Sequence, residues 1–552
     1  MSVTPKRELS LFDSTSIIVG IIIGAGIYQM APDIAGGVRS PWGVAVIWIV
    51  GGLLSLCGAL SYAELATAYP VEGGDYVYLN KAYGRWAGFL FGWAQLTVVR
   101  PGDIAVMAFA FATYGRAIYD PLANYPGISQ RVFAGVAVLA LTVINILGVK
   151  QGKWTQNLLT TVKALGLLAI VGVAVAAPPA PREAKSAVQG QWDIKLTDTS
   201  GNRYEESKRA SLQLAPWGAG KVHIGNDNYP IQYRQVESDT GGAVEFITGR
   251  GGQDAPGIER GQAALDGQGG LSGTLHLHGT QELRFTAQRS MIPWTLALVF
   301  VLFVFGGWNE MAYVAAEVRD PRRSIMRALL LGTASVTVLY LLVNAAFMHV
   351  VGYHGLTGSG AIAADTIAVR FPQVGSRLIS ALVCISALGA VNGLIFTGAR
   401  ISYAMGEDHR VFKVLGRWNQ GTGTPVWALA VQGLIAIALI LAFGGYLDAV
   451  LYTAAAVYAF YLGTSLSVIV LRFKEPGTER PYKVTGYPVT SLVFSGVCAF
   501  LVYKSLSFAA SNKQIFLIIM AVTLAAGLVI YLLTDARRAR VAQPSELGPA
   551  KP

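Results

Sequence analysis

Residues 17–35 read IIVGIIIGAGIYQMAPDIA. The stretch is apolar enough to cross a bilayer, yet Gly24-Ala25-Gly26 interrupts it midway. Glycine costs about 1 kcal/mol in a helix interior relative to alanine. In lipid, backbone that leaves the helix must be satisfied by protein or by a water-lined cavity. The helix is therefore expected to break at these residues and to turn free N–H groups toward a ligand. Gly20 and Gly24 also form a GxxxG pair, which close helix packing alone would explain. A second stretch, residues 293–318, weighs for the break: it carries FGGWNE, with Gly306-Gly307 near its middle. Paired interruptions in corresponding spans of two halves point to a transporter binding site.

The rest of the chain fits a polytopic membrane protein. Of 552 residues, 53% are hydrophobic and 14% charged, which excludes an ordinary soluble domain. Twelve apolar stretches are long enough to span, near 13–35, 42–68, 86–115, 131–148, 154–177, 293–317, 325–351, 375–404, 425–443, 447–471, 488–508 and 514–534. The net charge of +11 is not a nucleic-acid footprint, because it follows the positive-inside rule. With the N-terminus inside, cytoplasmic segments hold 22 Lys/Arg, short outer segments 7, and one long polar insertion 12. The expected placement is the cell (inner) membrane, with both termini cytoplasmic. The first span is too long for a cleaved signal peptide, and its small residues sit mid-span. Cys57, Cys384 and Cys498 are scattered through different spans, with neither a disulfide framework nor a metal spacing. No phosphate-binding loop is evident, so neither a cofactor nor ATP-driven pumping is expected, and enzyme chemistry finds no support.

Four charged residues near or inside spans ask for partners. Glu64 lies at the cytoplasmic end of span 2, either paired with a base across an inner gate or on a solvated helix end. Span 3 contains RPGD, residues 100–103, whose Pro101 and Gly102 should kink it. Arg100 and Asp103, spaced i, i+3, can pair on one face as a structural pair or outer-gate element. Lys163, in span 5, sits about 15 Å into the membrane counting from Lys153. It is expected to face the bundle near the ends of broken helices, where carbonyls can receive its ammonium as they would a bound sodium ion.

Residues 178–289 differ in composition, with 12 Lys/Arg, 13 Asp/Glu and no span. Segments such as KVHIG, YPIQYRQVES, AVEFITG and GTLHLHGTQELRF alternate with Gly/Asn/Asp turns and read as short strands. Five preceding spans place this insertion outside the cell, as a small β-rich domain with no identified partner. His276 and His278 would share a strand face, read as ordinary strand surface rather than a metal site. Residues 353–374 are long for a simple outer loop and are expected to form short helices. Span 8 carries Ser386, Gly389, Asn392, Gly393 and Thr397, a small-residue face from which Ser386 or Asn392 could offer an oxygen to a cation. Spans 11 and 12 are assigned packing or dimer contacts.

Five spans precede the insertion and five more begin with the second broken helix. Five is odd, so the second set is inserted upside down, an inverted repeat. The expected division is 1–177 for spans 1–5, 178–290 for the insertion, 291–472 for spans 6–10, and 473–552 for spans 11–12 and a short tail. The site then lies at the midplane between the two breaks. Amides after Gly26 offer positive dipole to a carboxylate. Carbonyls near Phe303-Val304-Phe305 offer negative dipole to an ammonium. An α-amino acid carries both charges, and Phe303 or Phe305 could close over it.

Several motifs resemble the amino acid–polyamine–organocation superfamily: GAGIY in span 1, YAELATAYPVEGGDYVYL after span 2, RPGD in span 3, and FGGWNE followed by EVRDP in span 6. The last two resemble its L-type amino-acid transporter branch and bacterial relatives. The resemblance covers nearly all the chain except 178–289. It implies an all-α, twelve-span, LeuT-like fold with a 5+5 inverted repeat, broken helices 1 and 6, and alternating access. It implies a substrate carboxylate at Gly24, Ala25 and Gly26, with Ile22 beside them, and an amino group at carbonyls around Phe303, Val304, Phe305 and Gly306. Gly307 and Asn309 complete the substrate set, and Phe303 is the gate. Lys163 replaces a sodium site, with Ser386 as a neighbour. The chain departs from the family pattern at Ala25, where serine is common, at Asp103, where a small residue is usual, and in the outer insertion.

The favoured function is sodium-independent transport of neutral amino acids by exchange or with protons. A nutrient sensor using the outer domain is a second reading, weakened by a tail of only 18 residues from Asp535. A carrier of ions or nucleobases on the same scaffold is a third, but the breaks lack cationic or aromatic-cage chemistry.

Overall fold

A computed structural model describes residues 9–541, other than 72, 123–124, 180–187, 189, 198–209, 215–218, 225–226, 237–242, 249–257, 266–269, 278–281, 290–292, 360–361, 372–374, 444 and 513. The first helix, α1 (Leu11–Ile22), starts on a capping box: Ser10 Oγ accepts from the Asp13 amide at 3.2 Å, and the Ser10 amide donates to Asp13 Oδ2 at 2.9 Å. It ends before Ile23-Gly24-Ala25 and resumes as α2 (Gly26–Gln29) and α3 (Ala31–Val38). The chain continues through α4 (Pro41–Ala68), α5 (Asp75–Tyr83), α6 (Arg85–Ala94), α7 (Arg100–Ile118), α8 (Pro126–Leu147) and α9 (Val149–Ala176).

After eight strands, α10 (Trp294–Val304) leads into a 3-10 helix at Trp308–Glu317. Then follow α11 (Pro321–Gly358), α12 (Ile362–Ala368), α13 (Gly375–Asp408), α14 (Val426–Ala442), α15 (Tyr446–Lys474), α16 (Val489–Asn512) and α17 (Gln514–Val541). Among the described residues, 11 helical segments are long and apolar enough to cross a membrane, and α14 is a shorter apolar helix of 17 residues. Large apolar side chains such as Trp42, Val175, Leu434, Val522 and Leu533 are exposed on their outer faces. A lipid environment accounts for that surface, and the protein is a multi-pass membrane protein.

The second break follows from Gly307, whose φ of 109° is a left-handed conformation that a side chain resists. The 3-10 helix after it is long for its type, and such stretches mark hinges or strain. In span 3 the distortion lies upstream of the expected kink. Pro101 has no N–H to give, and a π-helical turn covers Gln95–Val99, closed by the Arg100 amide on the Gln95 carbonyl.

The strands are β1 (Gly190–Thr197), β2 (Ala210–Leu214), β3 (Ala219–Ile224), β4 (Asp227–Val236), β5 (Ala243–Thr248), β6 (Ile258–Leu265), β7 (Leu271–Leu277) and β8 (Glu282–Arg289). Each pairs antiparallel with the next, and β8 returns to β1 with Trp192 opposite Arg289 and Thr197 opposite Arg284, closing a barrel. Its interior holds its own core, including Trp192, Leu212, Val222, Phe246, Leu275 and Phe285. Gly273 is required at its place, since a Cβ would lie 1.9 Å from the Gln262 carbonyl oxygen on the neighbouring strand. His276 pairs with Glu282 on β8 at 3.4 Å, while His278 lies outside the described residues.

Candidate transport site

The two breaks touch. A Cβ on Gly26 would lie 2.9 Å from Val304 Cγ2, and one on Gly307 would lie 2.6 Å from Ile21 Cγ2 and 3.2 Å from the Ile22 nitrogen. Only hydrogen at these positions lets the interrupted segments approach so closely.

Breaking a helix strands its last carbonyls. Here they are collected by side chains from three other helices. The Lys163 ammonium of α9, fully buried, donates to the Gly20 carbonyl, to the Ile23 carbonyl at 2.8 Å and to the Ser386 carbonyl at 3.5 Å. The Ser386 hydroxyl of α13 donates to the carbonyls of Ile23 and Gly24, each at 3.2 Å. The Ile22 carbonyl accepts from the Tyr340 hydroxyl of α11 at 2.7 Å. A cation and two hydroxyls thus occupy the negative end of α1. On the other side of the break, among the described residues, the amides of Ala25 and Gly26 have no acceptor.

At the second break, Gly306 donates to the Phe303 carbonyl at 2.9 Å, and Phe305 to the Val301 carbonyl at 2.9 Å. Beside it lies a cavity of about 70 Å³ lined by Ile21, Met107, Leu302, Phe303, Gly306, Gly307, Leu394, Val457, Tyr458 and Tyr461, with Asp103 and Glu310 at its polar part. That space is large enough for several waters. The Phe303 side chain therefore borders the cavity. Phe305 does not: its ring is fully buried between Trp48 and Tyr340, with centroids 5.9 and 5.4 Å away. Only its backbone is left to meet a ligand.

A smaller polar space adjoins, lined by Asp75, Gln95, Arg100, Asp103, Asn309, Glu310, Tyr313 and Tyr461. Here the expected Arg100–Asp103 pair is corrected. Arg100 Nη2 meets Glu310 Oε1 at 2.7 Å, and its Nε donates to Gln95 Oε1 at 3.1 Å. The π turn supplies the reason, because it aligns residues five apart and so brings Gln95 under the guanidinium. Arg100 also shares this space with Asp75, the first residue of α5. Asp103 lies beside Thr453, whose hydroxyl donates to the Val450 carbonyl at 3.3 Å, and among the described residues the Asp103 Oδ1 has no partner.

Asn309 is held in the same network: its amide donates to the Tyr313 hydroxyl at 3.0 Å, and its oxygen accepts from Tyr461 at 2.9 Å. Tyr313 donates on to Asp75 at 2.5 Å, and Tyr62 and Thr464 also donate to that carboxylate. Burial pushes the Asp75 carboxyl above the usual carboxylate range, against the pull of the three hydroxyls.

Glu64 is buried and not a solvated helix end. It takes a two-pronged contact from Arg472, at 2.8 and 2.5 Å, has Arg480 Nε at 3.4 Å, and accepts the Val484 amide at 2.7 Å. This ties the end of α4 to the end of α15 and the turn that follows. The Asn392 oxygen accepts from the Asn145 amide at 2.8 Å and its own amide donates to Gln156 at 3.1 Å, so it braces α8, α13 and α9. Glu310, Tyr340, Tyr461 and Asp75 are the site residues that sequence reasoning missed. An acid within an apolar span was the available signal for Glu310.

A multi-pass helical membrane protein with two interrupted helices meeting beside a central cavity has the architecture of a solute permease. The chain belongs to the amino acid permease family, whose model matches residues 9–203 and 255–536. It is 27% identical over 479 residues to the b(0,+)-type amino acid transporter 1 of Mus musculus, covering 87% of this chain and 79% of that protein. The human protein of that name is 26% identical over 529 residues, covering 96% and 88%. The large neutral amino acids transporter small subunit 2 of Oryctolagus cuniculus is 26% identical over 504 residues, covering 91% and 76%. The expected superfamily and branch are therefore correct.

Proposed function

We propose that the chain is a sodium-independent secondary transporter of L-amino acids, working by exchange or with protons. It alternates access through a twelve-span fold of two inverted five-span repeats. The termini are cytoplasmic and the barrel lies outside the cell. In this reading the carboxylate of the substrate binds the amides of Ala25 and Gly26, beside Gly24, whose own amide is held by the Ile22 carbonyl at 2.7 Å. Its amino group binds carbonyls at Phe303–Gly306, and Phe303 closes over it. Met107, Leu302, Leu394 and Val457 suit the apolar side chains of neutral amino acids.

The observation that carries the proposal is the Lys163 ammonium seated on the carbonyls of Gly20 and Ile23 at the end of α1. A fixed positive charge there does the work of a bound sodium ion and keeps the unpaired amides of the break aimed at the ligand. Membership of the family and the amino-acid transport named in its relatives support the same reading. Purified protein in liposomes should take up labelled neutral amino acids equally well with sodium or with choline outside. No uptake of any amino acid, or uptake that requires sodium, would overturn it.

A further inference from the structure

We propose that a groove at the barrel-bearing end of the helices binds an anionic phospholipid, with Arg39 holding the phosphate and an acyl chain lying between α4 and α10. The site is separate from the cavity beside the breaks and does not depend on the transport reading.

The groove follows from how these two helices meet. A Cβ on Gly51 of α4 would lie 2.0 Å from Val301 Cγ1 of α10, so the helices are in direct contact at that level. Nearer their N-termini they leave a space of about 750 Å³ between them and the end of α3. Val46, Ile47 and Val50 of α4 line it on one side, Trp294 and Leu298 of α10 on the other. That volume lies within the range of small-molecule sites, about 300–1,000 Å³. From Gly43 to Gly51 a helix rises about 12 Å, which takes the upper part of an acyl chain. The mouth is at the barrel end, because α10 begins at Trp294 shortly after β8 ends at Arg289. Trp42 and Trp294, in the first turns of α4 and α10, are 83% and 61% exposed, as residues of a membrane–water interface are. Trp294 is also stacked on Phe500 of α16, with centroids 6.3 Å apart, so this wall of the groove is fixed.

The mouth is positive. Arg39 is the one charged residue of the lining, and among the described residues it has no partner. Both α4 and α10 start here, so the positive ends of their dipoles face the mouth, and α10 has no side-chain cap. A guanidinium receives a phosphate through two parallel N–H bonds. The lining holds no carboxylate to receive an ammonium or choline group, so its charge favours an anionic headgroup over a zwitterionic one. The backbone agrees. Among the described residues Arg39 is the one non-glycine residue with a positive φ, 56°. Glycine adopts that conformation freely, whereas a side chain there is strained. Strain of this kind clusters at ligand sites.

The test uses full-length protein stripped of lipid in a neutral detergent and then given phosphatidylglycerol or phosphatidylcholine. Native mass spectrometry counts the bound lipid, and the melting temperature is followed in parallel. The wild type should retain phosphatidylglycerol in preference and melt higher with it. Arg39→Gly and Arg39→Asn both suit a left-handed turn, so without lipid they should melt at or above the wild-type temperature. Both should retain about fivefold less phosphatidylglycerol, the scale for one basic residue at an anionic membrane surface. Val46→Trp, at a side chain that is 56% exposed, fills the groove and leaves Arg39 in place; it should lose the lipid as well. Equal retention of the two lipids by the wild type would overturn the proposal. So would undiminished phosphatidylglycerol on the Arg39 variants, or on Val46→Trp, where it would assign the binding to surface charge alone.

Discussion

The Lys163 ammonium lies 2.8 Å from the carbonyl oxygen of Ile23, so a side chain of α9 closes the open end of α1. Removing it strands the Gly20 carbonyl and leaves that of Ile23 to the Ser386 hydroxyl alone. A buried polar group left unpaired costs about 1–3 kcal/mol. Lys163→Ala should therefore lower the thermal stability of the purified protein, and uptake should fall at least about tenfold if Lys163 also orients the break. Added sodium should not restore it.

Gly307 carries the turn of the second break. Its φ of 109° resists a side chain, and an added methyl would lie 2.6 Å from Ile21 Cγ2. Gly307→Ala should cost roughly 1–3 kcal/mol from overpacking, with backbone strain added, and should push the two breaks apart. A lower melting temperature together with reduced uptake is the expected result. A variant indistinguishable from the parent would show that the breaks tolerate separation.

Arg100 and Glu310 are both nearly inaccessible, with side-chain exposures of 3% and 4%. Breaking such a pair from one side leaves a charge stranded, at about 3–5 kcal/mol. Arg100→Met should be severely destabilised. The double variant Arg100→Met, Glu310→Met should be more stable than the sum of the single effects predicts, as measured by a thermal-melt double-mutant cycle.

Asp365 on α12 accepts from the Ser359 hydroxyl at 2.5 Å, and burial pushes its carboxyl up to about 6. An acid raised in the folded state stabilises fully below its unfolded value, near 4. That stability is lost as pH rises through about 6. The melting temperature should therefore fall between about pH 4 and 6, and Asp365→Asn should flatten this part of the curve. An equal slope in the variant would place the titration elsewhere.

The barrel has a core separate from that of the helices. Residues 188–290 expressed alone should give a soluble β-sheet protein with a cooperative melt. A random-coil circular dichroism spectrum would show that the helices are needed to form it.

The breaks were legible because glycine is costly inside a helix, and a span that tolerates Gly24, Gly26, Gly306 and Gly307 announces an interruption. Lys163 was legible because a mid-span ammonium has few places to go other than free carbonyls. The partner of Arg100 was not. A spacing of i, i+3 describes neighbours on one helix, whereas Glu310 comes from a segment over two hundred residues away and depends on a π turn that no local pattern announces. The same holds for Asp75, which follows Gly73-Gly74 at the start of α5 like any solvent-facing acid and is buried only because α4, the 3-10 helix and α15 converge on it. In the insertion, KVHIG, AVEFITG and the run ending in QELRF fall on β3, β5, β7 and β8. The closure of β8 on β1 was beyond reach, since strand pairing across the whole segment is a tertiary property.

That closure has a consequence for how the insertion can be used. A ring of eight strands offers no lateral edge, so another chain cannot be recruited by adding a strand to it. Whatever docks there must read the outward-facing side chains and the connecting turns, and crowding many copies in one membrane would not by itself stitch them together through their backbones.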